Sequence, residues 1–136
     1  MNDRRKVTQA LIDMLAAATT RPVGDLDRPP AGVEPFAVVY PIPGGSSDGP
    51  AQWPHADVDR VYQVSSVGKD RWQAEWMADK VRAAILGRNG NGAYVNPITV
   101  DGVVVFERDE YAQGAPIREG ALVSIGDRYV LRTTPA

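Results

Sequence analysis

Few side chains in this 136-residue chain could do chemistry. Histidine occurs once, as His55, and cysteine is absent. Without cysteine there is no disulfide framework, zinc–thiolate site or thiol nucleophile. One histidine excludes a multi-histidine metal site within a single chain, and any Ser–His–Asp triad would have to run through His55. The run His55-Ala56-Asp57-Val58-Asp59 places that histidine two and four residues from carboxylates. In an extended segment those positions face one way, so acid–base work or a hard cation can be imagined there. A polar loop leading into a strand explains the same residues more simply.

The remaining candidates carry similar double readings. Gly87-Arg88-Asn89-Gly90-Asn91-Gly92 looks like a phosphate-cradling loop. That mechanism needs glycines that follow a strand and open a helix, so that helix N-terminal amides meet the phosphate. Here they follow a helical pattern, and a turn is expected. Glu107-Arg108-Asp109-Glu110 is mixed in charge and reads as a solvated strand end, with the Asp109/Glu110 pair a weak cation candidate. Arg4-Arg5-Lys6 stands at the wrong end of a helix for its dipole and reads as solvated terminal charge, with contact to nucleic acid or an acidic partner the sharper alternative. Trp72 and Trp76 are four apart on one helix, where core packing is the default and a subunit interface the alternative. No nucleophile and base stand at a defined spacing, and no cofactor fingerprint is present. The expectation is a non-enzyme with no cofactor and no metal.

The elements that would position these residues follow from composition and period. A chain of 136 residues predicts one domain spanning 1–136, with enough surface to bury a core. An apolar fraction of 43% and a charged fraction of 24% are those of a globular protein. A net charge of −2 argues against a dedicated polyanion binder. No apolar run approaches the ~20 residues of a membrane span, and the N-terminus lacks the continuous apolar core of a signal peptide. The expectation is a soluble, intracellular protein with no membrane contact.

Val7, Ala10, Leu11, Met14, Leu15 and Ala18 make one helical stripe, stopped by Pro22 and Gly24. Residues 21–35 read as a connector and 36–40 as a short strand ended by Pro41. Residues 41–57 form a Pro/Gly-rich exposed loop, rich in proline and glycine at 41–54. Residues 58–67 alternate as a strand whose inner face is set by Tyr62 and Val64. Asp70 and Gln73 have the spacing of a capping box opening a helix over 71–86. Its stripe is read as Trp72, Trp76, Met77, Val81, Ala84 and Ile85, with Gly87 as a left-handed C-cap. Residues 98–106 read as a hairpin around a type I′ turn at Asp101-Gly102. A second polar loop is expected at 111–120 and a closing strand at 121–133, interrupted at Gly126-Asp127 by a bulge or turn. The order α-β-β-α-β-β-β predicts an α+β fold, a mixed, mainly antiparallel β-sheet covered by two main helices.

The combination resembles a family. Val61-Tyr62-Gln63-Val64-Ser65-Ser66-Val67-Gly68 leads into Gln73-Ala74-Glu75-Trp76-Met77-Ala78-Asp79-Lys80-Val81-Arg82-Ala83-Ala84-Ile85-Leu86-Gly87-Arg88. Phe36-Ala37-Val38-Val39-Tyr40-Pro41 precedes a Pro/Gly loop, and Arg128-Tyr129-Val130-Leu131-Arg132-Thr133-Thr134-Pro135 closes the pattern. In this order they resemble the tail terminator (minor tail, head–tail joining) proteins of long-tailed actinobacteriophages. The resemblance covers nearly the whole chain except the segment around Asp101-Gly102. It implies a central sheet flanked by helices, assembled as a homo-oligomeric ring, a hexamer, in the tail-neck region of a virion put together in the host cytoplasm. The implied partners are the major tail tube protein and the head–tail connector proteins, with genomic DNA passing through the lumen unread. It makes Pro43, Ser46, Asp48 and Trp53 of the first loop, and Tyr111 and Gln113 of the second, interface candidates beside Trp72 and Trp76. The alternatives are a neck adaptor or tail-tube protein, or a small ligand-binding or hydrolytic domain using His55.

Overall fold

The computed structural model describes residues 4–29, 32–42 and 57–136. The element order is α1 (Arg4–Thr19), β1 (Val23–Asp25), β2 (Phe36–Pro41), β3 (Val58–Gly68), α2 (Arg71–Leu86), β4 (Val103–Ala112), β5 (Ile117–Glu119) and β6 (Leu122–Pro135). The strands make one sheet in the order β1-β2-β3-β6-β4, with β5 also paired to β6. Among the described residues only β1 and β2 run parallel; the other strand pairings are antiparallel. The expected α+β fold with two helices over a mainly antiparallel sheet is what forms.

Each helix follows from its apolar spacing. Val7, Leu11, Met14 and Leu15 of α1 are buried as expected, but Ala18 is exposed, and Ile12 and Thr19 are buried in its place. Thr19 closes the helix by donating its hydroxyl to the Leu15 carbonyl at 2.7 Å, and Thr20 follows with φ 56°, ahead of Pro22. In α2 the Asp70 side chain accepts from the Gln73 N–H at 2.8 Å. The Gln73 side chain in turn accepts from the Lys69 N–H at 2.7 Å, one residue earlier than a regular capping box places it. Gly87 is extended (φ −60°, ψ 132°), so the expected left-handed C-cap is absent. The end of α2 is satisfied instead by Arg108, which is buried and donates to the Ile85 carbonyl at 3.1 Å.

Both helices lie on one face of the sheet. There Leu11, Leu15, Met77 and Ile85 meet Val39, Val64, Tyr129 and Leu131, all essentially shielded from water. Each such aliphatic side chain contributes about 1.5–3 kcal/mol. The Tyr62 hydroxyl is held by Thr8 at 2.8 Å, tying α1 to β3. Gly68 permits the close docking of α2, since a Cβ there would lie 2.6 Å from the Ala74 nitrogen. On the opposite face Phe36, Val38 and Val67 form a smaller buried cluster. The end of β3 is thus buried on both faces, not only on the Tyr62/Val64 side.

Five further expectations are corrected. The 21–35 connector contains β1, too short to show a period. The 98–106 hairpin reduces to one bridge between Val100 and Val103; β4 pairs with β6 instead. Of the two turn residues only Gly102 has positive φ, so the turn is not type I′. Half of the 111–120 loop is taken up by the end of β4 and by β5. Gly126-Asp127 does not interrupt β6, which pairs with β3 in unbroken register from Val123 to Thr133. The bulges lie between β4 and β6 instead, at Val105/Glu107 and Glu110/Ala112. Pro41 belongs to β2, and residues 43–56 of the 41–57 loop lie outside the described residues.

Candidate functional site

Among the described residues, most of the carboxylates singled out in the sequence are drawn into ion pairs. His55 lies outside the described residues, and Asp57 is exposed. Asp59 accepts from Arg132 at 2.7 Å. Glu107 and Asp109 meet the same guanidinium at 3.1 and 3.3 Å. Asp59 foremost, and then Asp109, hold Arg132 more firmly protonated. Glu110 pairs with Arg82 at 2.7 Å. The Asp109/Glu110 pair is therefore divided between two arginines on opposite faces of β4, as strand alternation requires. Among the described residues no group of three or more His, Cys, Asp or Glu is placed to hold a metal ion.

Residues 87–92 form the expected turn. Asn89 Oδ1 accepts from the Asn91 and Ala93 amides, and Arg88 bridges to Tyr94. Tyr94 lies between two guanidinium groups, Arg88 and Arg108, each 4.2 Å from the ring centre. Burial lowers the Arg108 pKa, and Arg88 adds to that lowering. This cluster closes the end of α2 and leaves no amide cradle for a phosphate.

Several large apolar side chains are exposed. Trp72 is 73% exposed and Trp76 36%, so the pair is not part of the core. The cause is angular. At about 100° per residue, Trp72 lies about 180° around the helix from Val81, on the side away from the sheet. Ala74 and Ala78 take the buried places instead. Lys80 stands 5.4 Å over the Trp76 ring. Arg71 and Glu75 pair at 2.9 Å on the same face. Arg21, Pro35, Trp72, Gln73 and Trp76 line a shallow hollow of about 220 Å³. Arg21 is fixed there by the Pro35 and Val33 carbonyls at 2.9 and 2.6 Å.

A second apolar patch lies on the other face of the sheet. Val103 and Val105 of β4 turn toward the core, while Val104 is 47% exposed and Phe106, the bulged residue, 49%. Beside them stands the Asp59–Arg132–Glu107–Asp109 network. Sequence reading passed over Val104 and Phe106. The signal was present: 103–106 is apolar at every position, so an edge strand covered on one face must expose the rest.

Tyr111, the penultimate residue of β4, is 62% exposed. Gln113 donates to Glu110 at 3.3 Å, on a hollow shared with Glu75 and Asp79 of α2. Segment 113–116 spans the gap between β4 and β5: the Gly114 N–H donates to Asp127 at 2.9 Å. Only glycine fits there, because a Cβ would lie 2.3 Å from the Gly126 carbonyl oxygen. Across the sheet, Val38, Gln63, Ser65 and Ser124 floor a cavity of about 350 Å³ walled by the Arg28–Glu119 ion pair. Of the expected interface residues, then, Trp72 and Trp76 come together, Tyr111 and Gln113 lie apart from them, and Pro43, Ser46, Asp48 and Trp53 fall outside the described residues.

No protein-family model and no curated protein matches this chain. Solved structures do. One is a chain from the virion of a native gene transfer agent (GTA) particle, 13% identical, covering 96% of this chain and 92% of that one, with a TM-score of 0.62. Another solved chain is 19% identical, covers 98% and 92%, and has a TM-score of 0.55. What this protein shares with them is the α+β fold over nearly its whole length.

Proposed function

We propose that this chain is a structural virion protein that closes the end of a phage-type tail tube as a ring, a hexamer. It ends tube polymerisation and forms the surface that receives the head–tail connector proteins. The observation that carries the reading is the whole-length fold match to a chain of a phage-like virion particle. Exposed aromatics support it, since clustered groups of this kind mark contact surfaces. Trp72, Trp76, Tyr111 and Gln113, with Pro43, Ser46, Asp48 and Trp53 of the Pro/Gly loop, are the proposed contacts to neighbouring copies and to the tube. The net charge of −2 suits a lumen through which DNA slides, because the 15 Lys and Arg are outnumbered by 17 Asp and Glu, which oppose the holding of phosphates. No cofactor, metal or catalytic residue enters this reading.

The test is to remove the gene from a particle that carries it and measure tails by electron microscopy. Overlong tubes detached from heads are expected, with normal length restored by the purified protein. Tubes of normal length that fail to join heads would point to a neck adaptor. Long fibres formed by the purified protein alone would point to a tube protein. His55→Ala should leave tail length and joining unchanged; loss of a turnover activity in that variant would favour the hydrolytic alternative.

A further inference from the structure

We infer that the α2 ridge of Trp72 and Trp76 on one copy seats on the Val104–Phe106 patch of the next. This gives a head-to-tail contact between two different surfaces of the same chain. The inference rests on the ring reading and names the surfaces that would build it.

Three observations lead to it. The surfaces face opposite ways. The ridge stands on the outer side of the helix layer, and Val104 lies on the sheet face away from the helices. A two-fold dimer uses one patch twice, whereas a cyclic series needs two unlike patches on separate sides of the subunit. The apolar content also matches. Two indoles meet a valine and a phenylalanine, and all four are at least a third exposed in the single chain. Large rigid aromatics are the side chains that anchor interfaces.

The charges are complementary. Arg21 and Lys80 flank the ridge, with exposed Asp79 one turn beyond Trp76, and neither cation has a carboxylate partner among the described residues: Arg21 is held by carbonyls and Lys80 lies over Trp76. On the other patch Asp59, Glu107 and Asp109 share, among the described residues, the one cation Arg132, leaving an excess of negative charge there. Unlike fields set the register of a contact, and they disfavour ridge-on-ridge and patch-on-patch pairing.

The chain contains no cysteine, so introduced thiols report without background. The double variant W76C/F106C, oxidised at high concentration or on assembled tails, should give a ladder of disulfide-linked oligomers. W76C alone and F106C alone should stay monomeric under the same treatment. Adding Trp72→Ala to the double variant should cut ladder yield by about tenfold, the loss typical of an interface anchor. A dimer from W76C alone, or no ladder from the double variant, overturns the contact. All substituted side chains are exposed, and a cooperative melting transition verifies folding. A ladder in a protein whose removal leaves tail length unchanged sinks the terminator reading and keeps the contact. Normal tail termination without a ladder sinks the contact alone.

Discussion

At the residue scale, two kinds of side chain separate cleanly. Trp72 is 73% exposed, so Trp72→Ala should change stability by no more than about 0.5 kcal/mol in urea melts while weakening self-association. Trp76, at 36% exposed, covers more of its ring, and Trp76→Ala should cost about 1–2 kcal/mol besides weakening self-association. Arg108 is the reverse. Arg108→Ala removes a buried side chain and orphans the Ile85 carbonyl. It should cost about 2–4 kcal/mol, with Arg108→Met recovering part of the packing. Asp127 carries a pH signature. Burial raises its pKa above the ordinary carboxylate value, against the partly compensating Gly114 amide. The folded chain therefore binds the Asp127 proton more tightly than the unfolded chain does. Stability falls as pH rises through the acid range between the two pKa values, and the penalty is complete at neutral pH. Asp127→Asn keeps an acceptor for Gly114 and should be more stable than the parent at neutral pH. The difference should vanish near about pH 3, where the parent carboxyl is protonated in both states. None of this was legible in the residue types. Asp127 became a buried acid only through the packing of segment 113–116.

At the element scale, α2 was the most legible part, since its cap and its boundaries follow from Asp70, Gln73 and a clear apolar period. Asp70→Ala should cost about 1 kcal/mol by loss of the cap. Gly68→Ala should cost about 1–3 kcal/mol by pushing α2 from β3, and both can be read from denaturant midpoints. The misreadings have local causes. The tryptophans were assigned to the stripe by residue type, although their angle around the helix opposes it. β1 and β5 are three-residue strands held by their neighbours, and no periodicity can develop over that length. β4 was read as a short hairpin arm because its bulges break the alternation beyond Val105. The C-terminal cap of α2 comes from Arg108, distant in sequence, and no local pattern announces such a partner.

At the scale of the whole molecule, the fold class was legible because one strong helix and several alternating runs leave few ways to build layers. The assembly surface was legible only in part. Trp72 and Trp76 were named, but their counterpart at Val104 and Phe106 depends on which face of β4 the helices leave bare. If the head-to-tail contact forms in solution, the melting temperature should rise with protein concentration in the parent and stay flat in Trp76→Ala. One consequence remains in the strand order. β6 is the last strand in sequence, yet it lies between β3 on one side and β4 and β5 on the other. Until that segment is made, a nascent polypeptide holds the two halves of its sheet with nothing to join them. A ribosome that stalls before residue 122 should therefore release a sticky, protease-prone fragment rather than a smaller working domain.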